Sequence, residues 1–172
     1  MTWIAPTPDP VDGPMTGPDR PMLEGYLAFQ RATLLNICAG LTAEQLTSRP
    51  LESSNLSLLG LIRHLSKVER IWFRIRAARE DIPPMFDPAL GKDVDFDDLD
   101  PAEAEAAVAR LQEEWRLCDA ATADVSFDAT LLDREGTVLS LRFTYLHVIN
   151  EYARHNGHAD LLREAIDGVT AR

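Results

Sequence analysis

The chain has little sulfur, little basic charge and no long apolar run. Among its 172 residues are two cysteines, Cys38 and Cys118, with no CxxC spacing. This excludes a disulfide framework and a thiolate metal cluster, and it points to buried thiols in a reducing compartment. Lys and Arg number 17 against 28 Asp and Glu, for a net charge of −11. Nucleic acid is not an expected partner, because phosphate binding needs a basic face. No apolar stretch approaches the roughly eighteen residues of a membrane span. The opening MTWIAPTPDPVDGPM has neither the basic nor the apolar region of a secretory signal. The expected location is the cytoplasm. Alternating patterns long enough for a sheet are also missing.

What is present is helical periodicity. Six of the 11 prolines fall within residues 1–21. Proline cannot donate to a helix or sheet ladder, so residues 1–20 are expected to form a tail, disordered or draped over the body. A first helix is predicted from Pro21 to Ala39, with Asp19 as N-cap, Gly40 just past its end, and an apolar stripe through Leu23, Leu27, Leu34 and Cys38. Thr42 and Gln45 fit a capping box for a short turn. A second long helix is predicted from Ser57, its N-cap, to about Glu80. Its stripe is Leu58, Leu61, Leu65, Val68, Trp72 and Ile75, with Arg63, Ser66, Lys67, Arg70 and Arg74 on the other side and His64 at the stripe's edge.

Residues 85–100 are rich in aspartate and read as a solvated loop; the glycine and terminal glutamate of a calcium loop are absent. A third helix is expected over Pro101–Ala123, capped by Asp100, with a stripe through Ala104, Val108, Leu111, Trp115 and Cys118. Glu135-Gly136-Thr137 looks like a turn. Val125, Phe127, Val138 and Leu139 are extended only locally. The last helix stops at Asp167-Gly168. Four amphipathic helices with at least one long connection make an all-α four-helix bundle with a proline-rich N-terminal tail.

The last helix carries the chemistry. The stretch Leu141–Asp160, LRFTYLHVINEYARHNGHAD, holds His147, His155 and His158; His64 is the fourth of the 4 histidines. Glu151 and His155 lie one turn apart on one helix face. By helical projection His155 falls near the centre of a stripe through Leu141, Thr144, Val148, Ala159, Leu162 and Ile166, extended by Tyr152, and Glu151 falls at its edge. An inward carboxylate is costly unless it is paired or bound to a metal. His147 is roughly 12 Å from His155 along the axis, and His158 about 10 Å from Glu151. A third ligand comes more naturally from another helix, where His64 is the only histidine.

Two readings stand at this point. His64, Glu151 and His155 are three ligands of a divalent metal with positions open to water or substrate, a set that suits zinc, iron or nickel. Alternatively they are hydrogen-bonded core groups, with Glu151 paired to Arg154 or to a base on a neighbouring helix. His147 and His158 are structural or orient a ligand. Arg154, Asn156 and Asp160 read as surface groups or orienting partners, Trp72 and Tyr152 as packing, and Trp115 as core.

Three segments then carry a resemblance: GLTAEQLTSRP, SNLSLLGLIRHLSKVERIWF and LRFTYLHVINEYARHNGHADLLREAIDG. From about Pro21 to Gly168 the chain resembles the DinB-like metalloprotein superfamily. It is most similar to the branch of mycothiol-dependent maleylpyruvate isomerase and mycothiol S-transferases. The resemblance implies a DinB-like helical bundle over 21–168, flanked by tails at 1–20 and 169–172. It implies a divalent metal, zinc first and nickel or iron as alternatives, held by His64, Glu151 and His155. Many members have histidine at both last-helix positions; the thiol-dependent branch has glutamate then histidine, as here. The implied function is a metal-dependent thiol S-transferase. Mycothiol or a similar thiol, activated on the metal, attacks a small electrophile in detoxification. The isomerase has a further C-terminal domain, so a stand-alone bundle is more similar to the S-transferases.

The expected partners are the small-molecule thiol and electrophile, with a homodimer through exposed helix faces. No separate catalytic acid or base stands out. The acidic surface and that lack favour a competing reading, a non-enzymatic, stress-related metal-binding or interaction module. Metal-assisted hydrolysis by a bound hydroxide is a third.

Overall fold

The first helix begins where the prolines stop obstructing it. In a computed structural model, which describes residues 2–132 and 136–170, α1 runs over Asp19–Cys38. Asp19 is its first residue, not its cap, and pairs with Arg142 at 2.9 Å. Gly40 follows the helix at φ 80°, a conformation that costs glycine least. Thr42 and Gln45 form the expected reciprocal capping box on α2, Ala43–Thr47. The tail is draped, not free. Ala5 N–H donates to the Leu41 carbonyl and Gly40 N–H to the Ala5 carbonyl, both at 2.9 Å, and Ala5 is buried.

Helix α3, Leu58–Glu69, starts at Ser57, whose hydroxyl accepts from Gly60 N–H at 3.1 Å. The expected single helix to Glu80 changes its winding at this point. Arg70–Ala77 is a π-helix, in which Ala78 N–H reaches the Phe73 carbonyl five residues back, at 2.8 Å. The wider turn delays the inward face by one residue. Phe73 and Ala77 are buried, whereas Trp72 and Ile75 from the predicted stripe are only partly buried.

Asp100 caps a 3₁₀ turn, Pro101–Glu103, that leads into α4, Ala104–Thr122. Helix α5, Leu141–Asp167, ends at Gly168 with φ 76°. Contrary to the expectation of no sheet, β1, Thr130–Leu132, pairs antiparallel with β2, Val138–Ser140. Each strand is three residues long, too short for a periodic pattern. Glu135 of the expected turn lies outside the described residues, as do Ala171 and Arg172.

The architecture is mainly helical, as expected: α1 packs chiefly on α5 and α3 on α4, and α3 also meets α5. One core joins them, with Leu27, Leu34, Leu61, Leu65, Leu111, Val148 and Leu162 almost fully buried. Each such leucine or valine contributes about 1.5–3 kcal/mol through removal from water.

Charges also enter this core. Arg31 of α1 makes two 2.7 Å hydrogen bonds to Glu69 of α3 and a further 2.9 Å bond to Asp119 of α4. Glu114 accepts from Arg70 and Arg74 at 3.1 and 2.9 Å. The face of α3 and its π extension that reads as polar is thus largely packed on α4, and Ser66 is buried in it. Trp115, expected only as core, donates its Nε1–H to the Tyr152 hydroxyl at 2.8 Å.

Candidate metal centre

Helix α5 sets its polar residues by phase. Its buried line runs through Tyr145, Val148, Tyr152, Asn156 and Ala159. His155 therefore stands on the border of the inward face, not at its centre, and Glu151 stands beside it. Asn156, expected at the surface, is buried and donates to the Gln30 side-chain oxygen at 2.8 Å. Arg154 is exposed, and Glu151 does not pair with it.

Across from this border, α3 presents His64. The structure brings His64, Glu151 and His155 together, with one ligating atom of each lying within 4.8 Å of the others. The rings of His64 and His155 meet edge to face at 4.7 Å. All three side chains are mostly buried, at 19%, 16% and 11% exposure.

The second ring nitrogens are engaged. His64 Nδ1–H donates to Asp95 Oδ2 at 2.8 Å, since an ionised carboxylate only accepts. That leaves His64 Nε2 on the other side of the ring. His155 Nδ1 lies 3.3 Å from His158 Nδ1, while its Nε2 faces Glu151 Oε2 at 3.5 Å. Burial, reinforced by His64, His158 and Arg154, pushes the His155 pKa down to about 4. A neutral imidazole is the form that binds metals.

Asp95 was not among the residues singled out from sequence. The loop read as solvated instead folds its carboxylate inward, where it is fully buried. Burial works to raise its pKa, but hydrogen bonds from His64 and Lys67 outweigh this and hold it below the ordinary carboxylate range. Lys67 also pairs with Asp95 Oδ2. Arg63 clamps the loop through the Val94 and Asp97 carbonyls, both at 3.1 Å. Phe96 stacks on His64 at 5.4 Å over Gly60, where an added Cβ would stand 2.6 Å from the Phe96 ring. The available signal was Arg63 and Lys67 flanking His64 on one side of a helix in an acidic chain.

On the other flank, His147 Nε2 lies 3.8 Å from Glu151 Oε1, and its ring packs on Trp72 at 4.0 Å. Burial is the main cause that lowers the His147 pKa, partly offset by Glu151. Neither cysteine belongs to the site. Both are buried, and burial pushes the Cys38 thiol up to about 12 and Cys118 up as well.

The donor set fits a divalent metal. It comprises two imidazoles and one carboxylate, brought together without a cation among them, each histidine oriented through its other nitrogen.

Fold and site together define a helical bundle with a candidate two-histidine, one-carboxylate centre. The family model described as Mycothiol-S-transferase matches residues 22–168, and the chain belongs to that family. Membership makes it a transferase enzyme with a mycothiol S-transferase-like function. Searches of curated proteins and of solved structures returned no match. No described helix is long and apolar enough to cross a membrane.

Proposed function

We propose that the protein transfers a low-molecular-weight thiol, mycothiol or a close analogue, to a small electrophile at a divalent metal held by His64, Glu151 and His155, as a cytoplasmic detoxification enzyme. The observation that carries this reading is the approach of three donor atoms to within 4.8 Å of one another in a chain of this family. Zinc suits the ligand types, as do nickel and iron. When bound, the metal supplies Lewis acidity that favours the thiolate form of a thiol, the nucleophilic form.

The chain's own residues prepare the place. Asp95 fixes the ring of His64, and His158 does so for His155, so that each presents its remaining nitrogen inward. Glu151 adds one negative charge to a site where burial keeps His155 neutral. Phe96 packs on His64, and Trp72 packs on His147 beside Glu151. The buried, protonated thiols of Cys38 and Cys118 take no part, so the reacting sulfur belongs to the cosubstrate.

The test is elemental analysis of untagged protein alongside a mycothiol-transfer assay. About one divalent metal per chain is expected, and His155→Ala is expected to lose metal and transfer together. Undiminished transfer by metal-free protein would overturn the reading.

A further inference from the structure

The π-helical turn has a consequence at the site. Had the α-winding of α3 continued, Trp72 would fall on the inward stripe behind Leu61, Leu65 and Val68. The wider winding gives that place to Phe73, which is buried, and moves Trp72 to the border facing α5. There Trp72 packs on His147 at 4.0 Å and lies 6.4 Å from Phe143, whose ring is 6.1 Å from His147. Phe143 is 44% exposed, so this wall is open to solvent. π-Turns within α-helices are rare and frequently lie at functional sites.

Arg76 sits on the same wall, its guanidinium carbon 4.2 Å from the centre of the Trp72 ring. In a chain of net charge −11, Arg31, Arg70, Arg74 and Arg163 meet carboxylates, and Arg49 and Arg63 meet carbonyls. Among the described residues Arg76 has neither; its recorded contact is the face of Trp72. An arginine over a tryptophan is often no more than surface packing. Three facts together weigh against that here: the guanidinium has no acid among the described residues, the winding is rare, and His147 links the wall to Glu151 at 3.8 Å.

We infer that Trp72, Phe143 and Arg76 form the electrophile subsite, and that it takes a flat aromatic electrophile carrying an anionic group such as a carboxylate. This rests on the transferase reading above. The ring lies against Trp72 and Phe143, and Arg76 receives the anion through paired N–H donors. For a chloronitrobenzoate the step is aromatic substitution. The thiolate sulfur forms a bond to the chlorine-bearing carbon, that carbon–chlorine bond breaks, and chloride leaves with the electron pair. The thiol proton passes to solvent. Arg76 is a positioning residue; it does not touch the reacting atoms.

The experiment is calorimetric binding of 3,5-dinitrobenzoate, which has no leaving group, and of neutral 1,3-dinitrobenzene to the full chain, zinc-loaded and metal-free. Turnover of 4-chloro-3,5-dinitrobenzoate with mycothiol is followed in parallel. The benzoate is expected to bind about ten-fold tighter than the neutral ring, as a charge-assisted hydrogen bond provides. Arg76→Gln is expected to erase that preference and raise KM for the chlorobenzoate more than it lowers kcat. Arg76→Lys, with its charge retained, is expected to restore much of the preference, and Trp72→Leu to weaken both ligands. Circular dichroism checks that each variant is folded. A preference that survives Arg76→Gln, or that vanishes when the metal is removed, overturns the subsite; so does failure of both rings to bind. If the preference behaves as expected but no electrophile is turned over, the subsite stands and the transferase reading falls.

Discussion

The bundle holds two clusters of buried polar side chains, and they are built in opposite ways. Around Arg31 every charge meets its complement. The guanidinium grips Glu69 with two 2.7 Å bonds, Asp119 accepts a third, and four helices contribute to the cluster if Trp115 and Tyr152 are included. Around Glu151 the groups facing one another are a carboxylate and two imidazoles, with separations of 3.5–3.8 Å to its own helix's histidines. The hydrogen bonds of that second cluster are made at its outer edge, by Asp95 and His158. A polar cluster that closes on itself is part of the frame. One that is ordered from outside, with its donor atoms facing one another, is the arrangement that the proposed metal would complete.

The sharpest way to break this comparison is to remove one carboxylate from each cluster. Glu69→Ala leaves Arg31 buried without its main partner, and a loss of about 3–5 kcal/mol is expected in urea unfolding of metal-free protein. Glu151→Ala removes a group with no lysine or arginine partner among the described residues, and a change within about 1 kcal/mol is expected. Equal losses would make Glu151 a structural residue like Glu69. Adding zinc sharpens the contrast: at about 100 times its dissociation constant it should stabilise the wild type by roughly 2.7 kcal/mol. The same addition should leave Glu151→Ala unmoved, and a chelator should reverse the gain. A wild type indifferent to zinc, nickel and iron would end the comparison.

Asp95→Asn acts one step further out. Weakening the group that orients a histidine ligand typically costs about 10–100-fold in metal affinity. Competition with a chromophoric chelator would measure it, and unchanged affinity would reduce Asp95 to a loop anchor. The smallest effect concerns the thiols. With burial pushing the Cys38 pKa up to about 12, the thiol stays protonated at pH 8, and Cys118 is shifted the same way. Neither should react with a thiol reagent in folded protein, while both should react in denaturant. A fast-reacting cysteine would place a nucleophile outside the site described.

Much of the frame is local chemistry and can be read as such. Ser57, Thr42, Asp100 and Gly168 mark helix ends through hydrogen bonds or a backbone angle that a few neighbouring residues determine. The approach of His64 to Glu151 and His155 was legible because one-turn spacing and a single remaining histidine left few alternatives. Asp95 was not, because its burial depends on the path of a whole loop, and that loop is held by Arg63 and Lys67 from another element. The pairing of Arg31 with Glu69 was hidden for a similar reason: each looks like an ordinary surface charge until α1 and α3 are brought together. Trp72 misled in a different way. Its spacing fits α-helical periodicity, and nothing in Arg70–Ala77 announces a change of winding.

That change of winding makes the number of residues, and not only their identity, a determinant of the site. Deleting Phe73 would let the helix return to α-geometry and carry Trp72 into the inward place behind Leu61, Leu65 and Val68. The wall beside Glu151 would then be dismantled by a deletion that removes none of its own side chains. Related chains are therefore best compared over this segment by counting residues along the helix before matching their types.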